Sequence, residues 1–271
     1  FLLTIYSTPI SLNSNNLYSG GLLAGLFIPF IFIYFKRAVD HRIKSERDLE
    51  GKMTVPFLGG IPKSEDNMAI IEAKSRSGSA EAIRMVRTNL EFLLGKVPKD
   101  TAKTVFVTSN ISKEGKTFIS VNLASTIALS GKKTLLIGGD IRNQKLDTYF
   151  ELPKQGLTNF LAQNDQNISD YIIAQNDNLD ILPSGSVPPN PVELLLNETR
   201  VAALFNNIKK DYDYIIVDTA PVNLVTDTFL LSKYADATVF VIRADFSEKS
   251  SLKIIEERYK KAKLPNMGSS P

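Results

Sequence analysis

A Gly-Lys-Thr loop set between a strand pattern and a helix pattern constrains the fold of this chain more than any other feature. Residues 103–130 read KTVFVTSNISKEGKTFISVNLASTIALS, a β-branched run, a loop and then helical periodicity. In such loops a glycine like Gly115 lets the backbone approach a phosphate, Lys116 reaches the β- and γ-phosphates, and Thr117 offers its hydroxyl to magnesium. Asn110 replaces the first glycine of the GxxxxGK[ST] pattern, so the loop alone leaves nucleotide binding open.

Two further strand patterns end in a carboxylate. Residues 134–140 read TLLIGGD and residues 214–218 read YIIVD, which are apolar runs of the kind found in buried parallel strands. Ligands bind at the carboxyl ends of parallel strands, so Asp140 and Asp218 are expected beside the loop. A single acid at a strand end is commonly only a helix cap. Two of them together with the Gly-Lys-Thr loop predict a magnesium-nucleotide site.

Strand and helix patterns keep alternating to the end of the chain. Strands are predicted at 179–182, 214–217 and 237–243, and helices at 192–210, 226–234 and 248–263. This alternation predicts an α/β fold with a doubly wound, mostly parallel sheet. A closing strand is expected after the last helix, where the chain instead reads LPNMGSSP. We interpret that ending as truncated or engineered.

Composition excludes several classes of protein. The 271 residues include no cysteine and one histidine, His41, which removes disulfide scaffolds, zinc fingers, cysteine nucleophiles and any Ser/His/Asp triad not built on that residue. The net charge of +3 is too small for a dedicated nucleic-acid binder. No nucleic-acid partner is therefore expected.

The first 35 residues contain no Asp, Glu, Lys or Arg. Residues 17–35 are nineteen uncharged residues, which span roughly 28 Å as a helix, close to the hydrocarbon thickness of a bilayer. The pattern predicts one transmembrane helix; a buried segment of a soluble domain and a signal peptide are the alternatives. Positive charges follow the span rather than precede it, which places the downstream chain in the cytoplasm and disfavours a signal peptide. We interpret the chain as a fragment with more extracytoplasmic sequence upstream.

These observations predict four regions. They are an extracytoplasmic stub at 1–16, the transmembrane helix at 17–35, a juxtamembrane segment and linker at 36–74, and a cytoplasmic P-loop domain at 75–271. The polar run KSRSGS at 74–79 has the composition of a linker, and helical periodicity resumes at 81–94. Glu81, Arg84 and Arg87 share one face of that helix, where spacing alone favours a solvated face over a subunit contact.

The motifs together resemble those of bacterial tyrosine kinases fused to polysaccharide co-polymerases, which control capsule or exopolysaccharide chain length and export. The resemblance covers the chain from the apolar span to the end. Its motifs are DLEGKMTVPFLGGIP, EAIRMVRTNL, SKEGKT as a Walker A of the deviant type, GGDIRN, SGSVPPNPVELL, and IIVDTAPV as Walker B. The proline-rich segment and the arginine helix argue against the related septum-site and partition ATPases, which share the loop and Walker B.

The resemblance implies a role for each site residue. Lys116, Asp140 and Asp218 would be catalytic, and Thr117, Asp140 and Asp218 would hold magnesium. Asp140 would position the metal or activate a tyrosine hydroxyl. Glu81, Arg84 and Arg87 would join subunits into a ring, which reverses the solvated-face interpretation. The nucleotide-binding loop would comprise Ser112, Lys113, Glu114, Gly115, Lys116, Thr117 and Phe118.

The function implied by the resemblance is that of a membrane-anchored, Mg²⁺- and ATP-dependent tyrosine autokinase. It would phosphorylate neighbouring subunits in a homo-oligomeric ring, for which an octamer is one possible assembly. It would regulate capsular or exopolysaccharide polymerisation and export from the inner membrane, with the kinase domain in the cytoplasm. Its partners would be the polymerase and export machinery, a tyrosine phosphatase and the membrane. Two alternatives stay open: a catalytically weak ATP-binding assembly scaffold, and a partition- or septum-type ATPase.

The sequence departs from the family pattern in three places. Gly138 stands where the family's Asp-x-Asp motif has its first aspartate, so either Asp140 suffices or catalysis is weakened. Ser112 replaces a common proline of the loop. The nine tyrosines are scattered and the last is Tyr259, so the usual tyrosine-rich acceptor tail is not present in this sequence.

Overall fold

The computed structural model divides the chain into two units, Phe1–His41 and Arg42–Pro271. The first unit contains helix α1, Ser14–Ala38, with Pro29 inside it. By length and composition its stretch Tyr18–Phe35 is able to cross a membrane. The predicted stub at 1–16 lies mostly outside the described residues. The structure describes residues 14–49, 51–63, 70–98, 100–163, 167–223, 227–260 and 267–270.

The described part of the second unit contains a seven-stranded sheet with the order β3-β4-β2-β5-β1-β6-β7. Every neighbouring pair is parallel except β3 and β4. This arrangement confirms the predicted α/β class with a mostly parallel sheet. Because β5 lies between β1 and β2, the loops that follow these two strands meet above its carboxyl end. The strands are β1 Lys103–Ser109, β2 Thr134–Gly138, β3 Ile173–Asn176, β4 Leu179–Leu182, β5 Tyr214–Asp218, β6 Ala237–Val241 and β7 Met267–Ser270.

Helices cover both faces of this sheet. Residues of β1 alternate between the two sides, since Val105 and Val107 join one buried cluster and Phe106 joins another. Helices α2 and α3 pack on the Val105 side, whereas α4, α6 and α7 contribute to the cluster around Phe106. The helices of this unit are α2 Gly78–Leu93, α3 Lys116–Ala128, α4 Leu157–Ala162, α5 Pro191–Leu196, α6 Glu198–Ile208, α7 Asp227–Ser232 and α8 Ser250–Lys260.

Two predictions about the elements of the second unit are wrong. The first is that the closing strand is missing from the ending LPNMGSSP. Met267–Ser270 of that ending forms this strand and pairs in parallel with β6. Its sequence, MGSS, has no β-branched or aromatic residue, so no strand pattern signals it. The helix predicted at 192–210 is two helices, because Asn197 has a non-helical ψ of 79° and its side chain accepts a hydrogen bond from the Arg200 N–H.

The segment predicted as a connector packs into the second unit. Ile43, Leu49 and Val55 are buried in a cluster with Phe240 of β6 and Ile255 of α8. The KSRSGS run is also more than a linker, since the Ser77 hydroxyl caps α2 by accepting from the Ala80 N–H. Serine and glycine are common both in linkers and at the starts of helices. The composition of this run therefore could not distinguish a linker from a helix N-terminus. The domain limits at residues 16, 35 and 74 stay predictions.

Candidate active site

The loop between β1 and α3 has the backbone shape of a phosphate cradle. Lys113 and Gly115 have positive φ values of 70° and 97°, a conformation that is uncommon for a residue with a side chain. Gly115 is the N-cap of α3, and a β-carbon built on it would meet nothing within 4 Å. The free N–H groups of the first turn of α3 therefore border an open space, which is the geometry that binds phosphate.

Side chains brace this loop from behind. Glu114 is buried, and its Oε2 accepts a hydrogen bond from the Ile111 N–H at 2.8 Å, while the Ser247 hydroxyl donates to Oε1. The Arg243 guanidinium donates to the Lys113 carbonyl oxygen at 2.9 Å. The Glu114 side chain thus holds the loop in shape and does not face the cradle. Sequence reasoning missed Ser247 and Arg243, although both follow the carboxyl end of β6, where functional residues of parallel sheets collect.

The first residues of α3 meet the end of β5. The Thr117 hydroxyl donates to Asp218 Oδ2 at 2.8 Å, and the Ser120 hydroxyl donates to Oδ1 at 3.1 Å. Lys116, Thr117 and Asp218 are each less than a tenth exposed. Ser120 was not predicted, yet it lies four residues after Lys116 and thus on the same helical face. The structure therefore brings together the predicted lysine, threonine and Walker B aspartate.

Burial sets the protonation of these groups. Loss of water raises the pKa of Asp218 from 3.8 to about 6, although the Lys116 charge and the Thr117 hydroxyl act in the opposite direction. Burial lowers the pKa of Lys116, which Asp218 and Asp140 partly offset. Burial also raises the pKa of Asp140. Two carboxyls and one ammonium thus share a poorly hydrated site, where their charges act strongly on each other and on a ligand.

Asp140 reaches the same place from the other side of β5. The Gly139 N–H donates to the Asp218 carbonyl oxygen at 2.8 Å, which ties the loop after β2 to the end of β5. Asp140 Oδ1 accepts from the Asn143 N–H at 3.1 Å. Arg142 forms an ion pair of 2.7 Å with the buried carboxylate of Asp227 at the start of α7. All three residues predicted as catalytic, Lys116, Asp140 and Asp218, therefore lie at one edge of the sheet.

Gly138 is confined by its surroundings. It pairs in register with Asp218, and a β-carbon built on it would lie 2.4 Å from Ser184 Oγ and 2.8 Å from the Ser184 backbone nitrogen. The hydroxyl can rotate away, but the backbone nitrogen moves only with the loop after β4. An aspartate at position 138 therefore does not fit this structure unless that loop shifts. The carboxylates available to the site from these strand ends are Asp140 and Asp218.

Replacing Gly138 with aspartate is expected to destabilise the protein by about 1–3 kcal/mol, the usual cost of overpacking a closed site. Urea unfolding of the purified chain measures this change. Gly95→Asp is the matched control, because a β-carbon at Gly95 meets nothing within 4 Å. A Gly138→Asp protein as stable as the control would show that the loop after β4 yields without cost.

The other predicted residues lie in different surroundings. Ser112 is half-buried in the loop, whereas Phe118 packs against the cluster between the sheet, α2 and α3. Arg84 forms an ion pair with Glu81 and donates to the Ser75 carbonyl oxygen at 2.7 Å. Arg87 donates to the Thr126 carbonyl oxygen of α3 at 3.2 Å. The three residues predicted to join subunits thus have contacts within their own chain, and Glu81 and Arg84 pair with each other three positions apart on α2.

The donor set fits magnesium that arrives with a nucleotide. Magnesium is usually held by one or two carboxylates, a hydroxyl and the phosphates of the substrate, not by a cage of protein ligands. The Thr117 hydroxyl and the Asp218 carboxylate lie in direct contact, with Asp140 on the adjacent loop. Within the described ranges, no cluster of three or more His, Asp or Glu residues could hold a metal by itself.

Comparison with known proteins identifies the family. Residues 102–263 match the AAA domain family. The tyrosine-protein kinase CpsD of Streptococcus agalactiae is 38% identical over 186 residues, which are 65% of this chain and 76% of that protein. The chain belongs to the bacterial tyrosine-protein kinases. The kinase domain of the Escherichia coli tyrosine kinase ETK resembles it with a TM-score of 0.73 at 25% identity, over 84% of this chain and 93% of that domain.

Family membership confirms the predicted resemblance to bacterial tyrosine kinases and the predicted enzyme class. The tyrosine-protein kinase ptk of Acinetobacter johnsonii is 27% identical over 89% of this chain, but over only 34% of its own length. The chain thus spans about a third of that longer kinase. The septum-site protein MinD of Pyrococcus horikoshii, at 23% identity and a TM-score of 0.50, shares the fold alone and supports the P-loop class.

Proposed function

We propose that this chain is a membrane-anchored protein-tyrosine kinase that uses ATP and magnesium. The observation that carries the proposal is the convergence of the phosphate cradle, Lys116, Thr117, Asp140 and Asp218 at one edge of the sheet. Phosphoryl transfer requires mainly positioning and neutralisation of charge, which this set of groups supplies. Helix α1 provides the membrane anchor, and the positive charges that follow it favour a cytoplasmic kinase domain.

Each residue has a defined part in the transfer. The N–H groups at the start of α3 and the Lys116 ammonium bind the phosphate chain. Thr117 and Asp218 would hold magnesium, which would supply positive charge to offset that of the phosphates. The tyrosine oxygen forms a bond to the γ-phosphorus as the bond from that phosphorus to the bridging oxygen of ADP breaks. Asp140 accepts the tyrosine proton, a role that suits a carboxylate whose pKa is raised by burial.

The acceptor tyrosine comes from another polypeptide segment. In the part of the second unit that the structure describes, no tyrosine is exposed. Tyr212 donates its hydroxyl to Asp180, and the ring of Tyr234 stacks on Phe205. A tyrosine-rich tail of a neighbouring subunit is the acceptor that the family resemblance suggests. Phosphates on such tails add negative charge and would weaken packing between subunits, which makes phosphorylation a switch for the ring.

The ring and its partners complete the proposal. Glu81 is well exposed on α2 and, with Arg84 and Arg87, is available to a neighbouring subunit despite its internal ion pair. Cycles of ring assembly would regulate polymerisation and export of a capsular or exopolysaccharide at the inner membrane. A tyrosine phosphatase would reset the cycle.

Gly138 favours a second candidate. With one carboxylate of the family pattern absent and its place closed by Ser184, the chain has one group fewer to orient an acceptor than that pattern implies. An ATP-binding scaffold that assembles without chemistry would need only the cradle, Lys116 and magnesium. A partition-type ATPase is the remaining alternative and would hydrolyse ATP without transfer to tyrosine.

One experiment separates these functions. The full chain in lipid nanodiscs is incubated with magnesium and γ-labelled ATP in the presence of a tyrosine-rich peptide, and labelled tyrosine, free phosphate and bound nucleotide are measured together. Labelled tyrosine is expected. Bound ATP without labelled tyrosine or phosphate release would identify a scaffold, and phosphate release without labelled tyrosine would identify an ATPase.

A further inference from the structure

Lys145 is a cation at the active-site edge to which the proposed mechanism assigns no part. It closes the loop that follows β2, five residues after Asp140, and precedes the short 3₁₀ helix Leu146–Thr148. Its carbonyl oxygen accepts from both the N–H and the hydroxyl of Thr148, at 3.1 and 2.6 Å. The backbone of Lys145 is therefore fixed, and its half-buried side chain starts from a defined point.

The loop that carries Lys145 is tied down along its length. Gly139 bonds to the end of β5, and Arg142 pairs with Asp227 of α7. The Gln144 amide donates to the carbonyl oxygen of Gly185, in the loop after β4. A loop held at three points on neighbouring elements places its side chains with little freedom, which is the property that a ligand-binding group requires.

The ammonium of Lys145 has no salt-bridge partner among the described residues, whereas the neighbouring Arg142 is paired. Its charge nevertheless acts on the site. It lies near enough to lower the pKa of the Lys116 ammonium by repulsion and the pKa of Asp140 by attraction. Two lysine ammoniums thus approach one poorly hydrated space, and a multiply charged anion between them would relieve their repulsion.

The strand order shows from which sides the loops that carry Lys116 and Lys145 approach the end of β5. Lys116 follows β1 and Lys145 follows β2, and these strands lie on opposite sides of β5. The loops that carry the two lysines therefore reach the end of β5 from its two sides. Asp140, the proposed acceptor of the tyrosine proton, lies on the Lys145 side, so this is the side on which the terminal phosphate meets the acceptor.

We propose that the Lys145 ammonium is a second phosphate ligand that binds the γ-phosphoryl group of ATP from the side opposite Lys116. This assignment rests on the nucleotide site proposed above and makes that site selective for ATP over ADP. Lys145 neutralises the phosphoryl oxygens during transfer and has no anion left to hold once the phosphate has gone to tyrosine. Product ADP is thereby released more readily than ATP is lost.

The test compares binding of a non-hydrolysable ATP analogue and of ADP, each with magnesium, by calorimetry on the full chain in nanodiscs. Lys145→Ala is expected to weaken the ATP analogue about tenfold and ADP by less than about twofold, since the removed group pairs only with the third phosphate. Lys145→Arg keeps the charge and is expected to retain most of the selectivity.

Lys132→Ala is the control, because Lys132 is exposed at the turn before β2, at the opposite edge of the sheet. It removes the same net charge and is expected to change neither affinity. Equal losses for both nucleotides in Lys145→Ala, no loss for either, or a defect seen only in the KM for the peptide would overturn the proposal. Failure of the unmodified chain to bind either nucleotide would instead overturn the nucleotide site itself.

Discussion

Lys116→Met is expected to remove phosphoryl transfer to tyrosine almost completely, by at least about a hundredfold to a thousandfold. Methionine keeps the length and the apolar stem of lysine but removes the Lys116 charge, which acts on both Asp218 and Asp140. Removal of the Lys116 charge has two effects. The phosphates lose a buried ligand, and the pKa values of Asp218 and Asp140 rise further without the Lys116 charge that lowers them.

The measurement is phosphotyrosine formed on a supplied tyrosine-rich peptide, with the folded state of each variant checked by its thermal transition. Lys132→Met makes the same chemical change at an exposed site across the sheet and is expected to transfer phosphate at the normal rate. The buried ammonium is destabilised by desolvation, so the methionine protein is expected to be at least as stable as the unmodified one in the absence of nucleotide. Phosphotyrosine that persists in Lys116→Met would contradict the assigned role of the loop.

The parts of the site that sequence predicted are those governed by general rules of parallel sheets. A strand, a Gly-Lys-Thr loop and a helix in that order specify a cradle at a helix N-terminus. The rule that ligands gather at carboxyl strand ends then placed Asp140 and Asp218 beside it without any knowledge of strand order. The structure explains why the rule works here: β5 lies between β1 and β2, so their loops converge above Asp218.

The parts that sequence missed depend on contacts between distant segments. Ser247 donates a hydrogen bond to Glu114 from 133 positions further along the chain, and no local sequence pattern can predict a contact at that separation. Ser184 limits Gly138 in the same way, from the loop after β4, which is adjacent to Gly138 only in space. Strand β7 has no favourable residue of its own and forms because β6 offers unpaired backbone groups. Local propensity did not predict these features because contacts with segments distant in the sequence stabilise them.

Asp218→Asn is expected to stabilise the nucleotide-free protein at neutral pH and to abolish its magnesium-dependent binding of ATP. The pKa of Asp218 is 3.8 in an unperturbed chain and about 6 in the folded protein. Between these values the folded state holds a proton that the unfolded state has lost, so stability falls as pH rises through this window. Ionisation of the buried Asp218 therefore lowers the free energy of unfolding by about 3 kcal/mol above pH 6. Asparagine cannot ionise and is free of that penalty, while its amide can still bond to Thr117 and Ser120.

Urea unfolding of both proteins in detergent at pH 4.5 and pH 7.5 measures the effect as a difference of differences, in which other titrating groups largely cancel. The asparagine protein should gain about 2 kcal/mol of stability on the unmodified one between the two pH values, since part of the penalty is already present at pH 4.5. Nucleotide binding should show the opposite trend. Affinity for magnesium-ATP rises in the unmodified protein as Asp218 loses its proton near pH 6, and in Asp218→Asn it stays weak at every pH. A gain in stability with unchanged magnesium-ATP affinity would show that Asp218 is buried for structural reasons and is not a metal ligand.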